Sequence, residues 1–207
     1  MKLFLASSLD KTLPLLQPLL TKKPGELNVL FIANAADPYS EKFWVDWDRA
    51  KFIELGYKII EIDLRNVSAD EFSKALDGSQ ILHGCGGSVY YLIDLIRKQN
   101  LEQIIIDAVK NEKVIYTGTS AGSIVVSASI AAFSYDEEEM EYIKKVPDKR
   151  GLGLINFAIV SHCNQEETRE EHKKIIDHMP QDPTALIFLQ DNQAVIVEND
   201  KIKIVSI

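Results

Sequence analysis

Cysteine is scarce in this chain of 207 residues. Only Cys85 and Cys163 occur, too few for a disulfide framework, which makes a reducing compartment the expected home. Basic residues are short as well: 23 Lys and Arg face 31 Asp and Glu, for a net charge of −8. No Lys/Arg-rich block breaks that balance, so neither nucleic acid nor an anionic membrane is expected as a partner. No apolar run approaches the length of a membrane span. The N-terminal MKLFLASS is too short in its apolar part for a signal peptide, and Asp10 and Lys11 follow it closely. It reads as a first strand, and the protein is expected to be cytoplasmic. The chain also lacks a P-loop, a G-x-G-x-x-G opening its first helix, and any His/Cys/Asp spacing that recommends a metal site. No cofactor and no metal are expected.

What is there is an ordinary soluble composition, 46% hydrophobic and 26% charged, at a length that suits one α/β domain over residues 1–207. Strand-like runs at 2–6, 27–33, 57–64, 80–83 and 114–116 alternate with helical stretches at 40–55, 69–76, 89–98 and 101–111. Residues 8–20 read as broken helical turns, since Pro14 and Pro18 interrupt them. Alternation of this kind predicts a parallel sheet covered by helices on both faces. After residue 130 the pattern changes to an acidic segment, a strand at 158–161 and a helix at 166–178. The tail holds three strand-like pieces, ALIFL, QAVIVEN and KIKIVSI, and an antiparallel extension of the sheet is the natural reading.

The chain is organised around KVIYTGTSAGSIVVS, residues 113–127. A short strand runs into Gly118-Thr119-Ser120-Ala121-Gly122, and a buried helix is predicted over 123–128. A serine between two glycines at a strand-to-helix turn is the nucleophile-elbow arrangement. The turn is too tight for side chains on its flanks, and it presents the hydroxyl of Ser120 with the N–H of Ala121 aimed where an oxyanion forms. A serine needs an adjacent base. Of the four histidines, His162 ends a predicted strand at the sheet edge where such sites form, and His83, which also ends a strand, competes with it. His172 and His178 read as solvated helix residues. The orienting acid is sought among Asp136, Glu137, Glu138 and Glu139, with Asp191 beyond the histidine. Asp136 is favoured because it follows Phe133 and Tyr135, which draw it inward. A second glycine loop, Gly84-Cys85-Gly86-Gly87-Ser88, lets backbone approach a substrate at Gly86 and supplies a second oxyanion donor at Gly87.

With these residues in hand, the chain resembles the dipeptidase E family, peptidase family S51, which includes α-aspartyl dipeptidase and, more distantly, cyanophycinase. The resemblance rests on Gly86-Gly87-Ser88 with Val89-Tyr90-Tyr91-Leu92, on Gly118 to Ser123, on Gly151-Leu152-Gly153-Leu154, and on Glu167-Thr168-Arg169-Glu170. It implies a flavodoxin-like sheet related to class I glutamine amidotransferases, with Ser120 as nucleophile, His162 as base and an acid near Asp136. It also implies that Arg169 contacts an acidic substrate. Cys85 and Ser88 stand where the family loop commonly has glycine and asparagine.

The leading reading is a serine peptidase, monomer or homodimer, hydrolysing short peptides. An α/β-hydrolase esterase and a non-catalytic member binding a small ligand in the same pocket remain as alternatives. Against the esterase, three strand-like segments follow His162, where that fold usually places its histidine after the last strand.

Overall fold

Five short apolar runs build the parallel part of one sheet: β1 (Lys2–Ala6), β2 (Asn28–Ile32), β3 (Lys58–Ile62), β4 (Ile81–Gly84) and β5 (Ile115–Thr119). The computed structural model describes residues 1–135, 139–178 and 184–207, with the backbone alone at His178. The sheet has seven strands in the order β3-β2-β4-β5-β1-β8-β9, where β8 (Gln193–Glu198) and β9 (Lys201–Ser206) run antiparallel at the C-terminal edge. Helices α1 (Leu9–Thr12), α2 (Phe43–Glu54), α3 (Ala69–Asp77), α4 (Val89–Lys98) and α5 (Glu102–Lys110) fall between the parallel strands.

Side chains alternate across the sheet, as strand geometry requires. Leu3, Leu5, Leu30 and Leu82 pack with Phe72, Tyr90, Ile93 and Ile105 from α3, α4 and α5. Phe4, Val29, Phe31 and Ile81 enter a second cluster with Leu13, Leu16 and Phe52 on the α1 and α2 side. That two-sided burial explains the unbroken apolar runs of β1 and β2. The edge strand β3 carries Lys58 and Glu61 instead, and Arg49 of α2 donates to Glu61 at 2.6 Å. Charges of this kind keep an edge from pairing with another chain.

The elements that carry the site leave this frame at the C-terminal ends of its parallel strands. The onward connections leave in opposite directions from the neighbours β2 and β4, and the gap between them is the topological switch point where open α/β sheets form their crevices. The loop after β4 sits there, with Cys85 N–H donating to Ile32 O at 3.0 Å and Ser88 N–H to Ala35 O at 2.8 Å. Ser88 then caps α4 by accepting from Tyr91 N–H. Past β5 come the single turn α6 (Ala121–Ile124) and α7 (Met140–Ile143), followed by β6 (Phe157–Val160), α8 (Arg169–His178) and β7 (Ala185–Phe188). No helix among the described residues is long and apolar enough to cross a membrane.

Two sequence expectations change. The helix expected over 123–128 is only the turn α6, because its continuation is claimed by the Gly151-Leu152-Gly153-Leu154 segment. Leu152 N–H donates to Val125 O, Leu154 N–H to Val126 O and Gly153 N–H to Ser127 O, which takes those carbonyls from any helical ladder. The first tail strand also departs from the antiparallel extension. β7 pairs parallel with β6 in a separate two-stranded sheet, Phe157 opposite Ala185 and Val160 opposite Phe188.

The tightest approach in the fold joins β4 to the turn after Ser120: a Cβ on Gly122 would lie 1.9 Å from Gly84 O. Gly122→Ala is therefore expected to cost about 3 kcal/mol or more, at or beyond the upper end of ordinary overpacking. Gly78→Ala, where the nearest atom is Ala75 O at 3.6 Å, should stay within about 0.5 kcal/mol. Urea denaturation of the two variants beside the parent measures both.

Candidate active site

Ser120 has φ 48° and ψ −112°, a strained conformation for a residue with a side chain. The flanking glycines are what permit it. A Cβ on Gly118 would lie 2.4 Å from Gly122 O, and one on Gly122 would collide with Gly84. The turn is pinned from below by β1: Ser120 N–H donates to Ala6 O at 3.1 Å, and Ser123 Oγ–H donates to the same carbonyl at 2.9 Å. Tyr116, fully inside the sheet, donates its hydroxyl to Gly122 O at 2.7 Å.

The glycine loop faces this turn. Gly87 has φ +140°, and a Cβ there would lie 2.1 Å from Ala35 O, so only glycine fits. Gly86 sits under the serine, where a Cβ would stand 3.5 Å from Ser120 Cβ, and its carbonyl accepts from Trp44 Nε1–H at 3.0 Å. Gly87, Ser120 and Ala121 line one cavity of about 80 Å³ with Val89, Phe133, Glu139 and Glu171. Among the described residues, no hydrogen bond takes up the N–H of Gly87 or of Ala121. Glu139 accepts from Ser88 Oγ–H and Tyr39 O–H, both at 2.7 Å, and Glu171 accepts from Tyr135 O–H at 3.0 Å.

His162 follows β6 and adopts left-handed backbone, φ 63°. The surroundings over-determine that strain: its N–H donates to Ser7 Oγ at 2.8 Å, and its carbonyl accepts from Gln165 N–H and Thr168 Oγ1–H. Its Nδ1 lies 2.7 Å from Asp191 Oδ1, the geometry in which a carboxylate fixes the tautomer and orientation of an imidazole. Asp191 is almost wholly buried and its carboxylate receives two further donors, Ser7 Oγ–H at 3.0 Å and Gln165 Nε2–H at 2.8 Å, while its own backbone N–H donates to Asn164 Oδ1 at 2.8 Å. Burial pushes the Asp191 carboxyl up, but the hydrogen bonds from Gln165, His162 and Ser7 outweigh it, so its pKa lies below the ordinary carboxylate value. Lys11 adds a cation 3.8 Å from Oδ2.

Several sequence expectations are resolved by position. Ser120 and His162 are brought to consecutive residues of one strand end, Ala6 and Ser7, although no hydrogen bond among the described residues joins their side chains directly. His83 is not at this site. It is fully buried between Phe31 and Phe52 on the α2 side of the sheet. His172, read as a solvated residue, is half-buried and bonds through Nε2 to Ser161 O at 2.8 Å; the His178 side chain lies outside the described residues. So does Asp136, the favoured acid, and the carboxylate on His162 is Asp191, the candidate beyond the histidine in sequence. Arg169 does not line the cavity. Its side chain is 73% exposed and pairs with Glu166 at 2.7 Å.

A family model described as peptidase family S51 matches residues 3–205. The chain belongs to peptidase family S51. This S51 peptidase is 27% identical over 203 residues to an uncharacterized peptidase of Pasteurella multocida (strain Pm70), covering 96% of this chain and 94% of that one. It superposes with a TM-score of 0.86 on a crystal structure described as a peptidase E protein of Listeria monocytogenes EGD-e, at 21% identity, covering 100% of this chain and 98% of the other. A peptidase from an acI-B1 Actinobacterium gives 0.69 at 21% identity, with 99% and 87% covered. The likeness to these two structures shows the shared fold, a mainly parallel sheet flanked by helices; the family makes the chain a peptide-bond hydrolase.

Because the Asp191 pKa is lower in the folded S51 peptidase than in its unfolded chain, the carboxylate contributes stability above the unfolded pKa and loses it as pH falls through the folded one. Asp191→Asn is expected to cost roughly 1–3 kcal/mol at pH 7, and that difference should shrink as the pH is lowered through the carboxylate range. Denaturant titrations of parent and variant at neutral and acidic pH give the two differences; equal values at both would mean that Asp191 is not held ionised by its partners.

Proposed function

We propose that this S51 peptidase is a serine peptidase that cleaves short peptides from their free amino end, with Ser120 as nucleophile, His162 as general base and Asp191 as the group that orients His162. The observation that carries the reading is the strained Ser120 turn hung on Ala6, with the His162–Asp191 pair hung on the adjacent Ser7. A strained serine and an imidazole whose Nδ1 faces a buried carboxylate are the parts a hydroxyl nucleophile requires.

In this reading Ser120 Oγ attacks the scissile carbonyl carbon while His162 Nε2 takes its proton. The imidazolium so formed is stabilised by Asp191, already ionised. The carbonyl oxygen, now negative, is received by the uncommitted N–H groups of Gly87 and Ala121, each worth about 3–4 kcal/mol in such a role. Collapse of the tetrahedral intermediate breaks the C–N bond, and His162 returns the proton to the leaving amine. Water then attacks the acyl-serine by the same route. A direct Ser120–His162 hydrogen bond is one that tightens when substrate binds, as is common in unliganded active sites.

The lining of the cavity supports the choice of end. Among the described residues it presents two carboxylates, Glu139 and Glu171, and no basic side chain, and its small volume suits a chain terminus rather than a polypeptide loop. An ammonium group fits that charge pattern. An acidic substrate residue gripped by Arg169 has no such support, since Arg169 points to solvent and is already paired.

Ser120→Ala should lower kcat by roughly 10⁶-fold with the fold intact, and Asp191→Asn by about 10⁴-fold through the wrong histidine tautomer. Labelling of Ser120 by a fluorophosphonate separates the enzyme from a binding protein, and esters tested against dipeptides separate peptidase from esterase. Acetylating the amino end of a cleaved dipeptide should reduce kcat/KM by about two decades, the value of a charge-assisted contact. Equal rates on free and acetylated peptides would sink the assignment of the amino end to this cavity.

A further inference from the structure

The glycine loop has a second face, on the side away from the serine. Cys85 packs into the cluster that holds Phe31 and Phe52, and there it meets His83 of β4 and Asp48 of α2. All three are buried, with exposures of 0%, 0% and 2% for Cys85, His83 and Asp48. A carboxylate oxygen of Asp48, a His83 ring nitrogen and Cys85 Sγ lie within 4.8 Å of one another. We propose that they form a binding site for a zinc-like divalent transition-metal cation, and that the ion braces the loop carrying Gly86 and Gly87 against α2.

The polar atoms themselves point to a missing cation. His83 Nδ1 lies 3.0 Å from Thr117 Oγ1, the outer partner that fixes a ligating histidine, and a proton donated there leaves the lone pair on Nε2. Nε2 faces Asp48 Oδ2 at 3.4 Å, and among the described residues neither atom has a hydrogen-bond partner, although both are fully buried. Two desolvated acceptors facing each other are costly unless a positive charge lies between them. Two ligands about 2.0 Å from a tetrahedral zinc ion lie about 3.3 Å apart, so Oδ2 and Nε2 already stand at the length of one edge.

Charge balance points the same way. The Cys85 thiol must give up its proton to ligate. Binding of a dication would expel that proton and form the S–metal bond. One carboxylate, one thiolate and a neutral imidazole then leave the cluster with no net charge, the favourable state for a buried site. A thiolate and an imidazole also select zinc over magnesium or calcium. The nearby guanidinium of Arg49 is engaged by Glu61 and Asp46, and so does not neutralise Asp48. A fourth position is left to water.

The test uses the whole chain, unfolded in chelator and refolded with zinc or without. About one zinc per chain should survive gel filtration, and the refolded protein with metal should melt at a higher temperature. Cobalt(II) loading should give a thiolate-to-cobalt charge-transfer band. Both signals should be lost in Cys85→Ser and in His83→Gln, be kept in Ser120→Ala, and in Thr117→Val the affinity should fall about 10–100-fold. Substoichiometric zinc in the refolded parent, or zinc and cobalt signals unchanged by Cys85→Ser, would overturn the site. If a ligand variant fails to fold, the parent's stoichiometry and cobalt spectrum decide alone, and none of these readings depends on peptidase activity.

Discussion

Ala6 and Ser7, at and just beyond the end of β1, hold Ser120, His162 and Asp191 in register. The carbonyl of Ala6 accepts from Ser120 N–H and from Ser123 Oγ–H, and the hydroxyl of Ser7 accepts from His162 N–H while donating to Asp191. Ser7 N–H reaches on to Gln193 O at the start of β8. The segments bearing Ser120, His162 and Asp191 are far apart in sequence, and β1 is the piece of rigid sheet they share. Its four inner residues are fully buried and paired on both sides, to β5 and to β8, so the anchor sits in the most constrained part of the fold. A site supported in this way tolerates strain: both Ser120 and His162 sit in backbone regions that cost about 1–3 kcal/mol each.

The parallel sheet was legible because its signal is local. Apolar runs of strand length, separated by helical stretches, place β1 to β4 within a residue or two of where they lie and β5 within three. The elbow was legible for the same reason, since Gly118 and Gly122 are required by contacts within the turn and with the neighbouring strand. The acid was not. ALIFL reads equally well as an antiparallel addition to the main sheet, and that reading carries Asp191 away from His162. In the structure β7 lies parallel to β6 in register, Val160 opposite Phe188, so the residues just beyond each strand emerge side by side. Leu189 N–H to Val160 O and Cys163 N–H to Leu189 O then carry the pairing past both strand ends to His162 and Asp191. The available signal was positional, an aspartate just after a strand-like run as His162 is, but strand direction is set by tertiary pairing and not by periodicity.

Ser7 was invisible for a different reason. A serine after a first strand is among the least informative residues in a sequence, and its importance comes wholly from two hydrogen bonds spanning 155 and 184 residues. The Asp48–His83–Cys85 cluster is hidden likewise: His83 and Cys85 are two apart, but the aspartate comes from a helix whose inward face also carries Val45 and Phe52. Spacing rules find metal ligands within one loop or helix. They do not find a set split between a helix and a strand end that the fold alone brings together.

The two clusters meet in five residues. From Gly84 to Ser88 the chain presents one face to each: Cys85 turns into the core beside Asp48 and His83, while Gly87 lines the cavity of Ser120 and Ser88 holds Glu139 at its rim. Trp44 ties the loop to α2 through Gly86 O, only four residues before Asp48 on the same helix. A shift of α2 would therefore move the Gly87 N–H relative to the serine. Donors aimed at a developing charge are effective only if they do not reorganise as it forms. Glycine at Gly86 and Gly87 gives the loop its close approach but supplies no side-chain packing of its own, so its rigidity must come from what flanks it. The inward cysteine and the Trp44 hydrogen bond are the contacts in place to provide that rigidity.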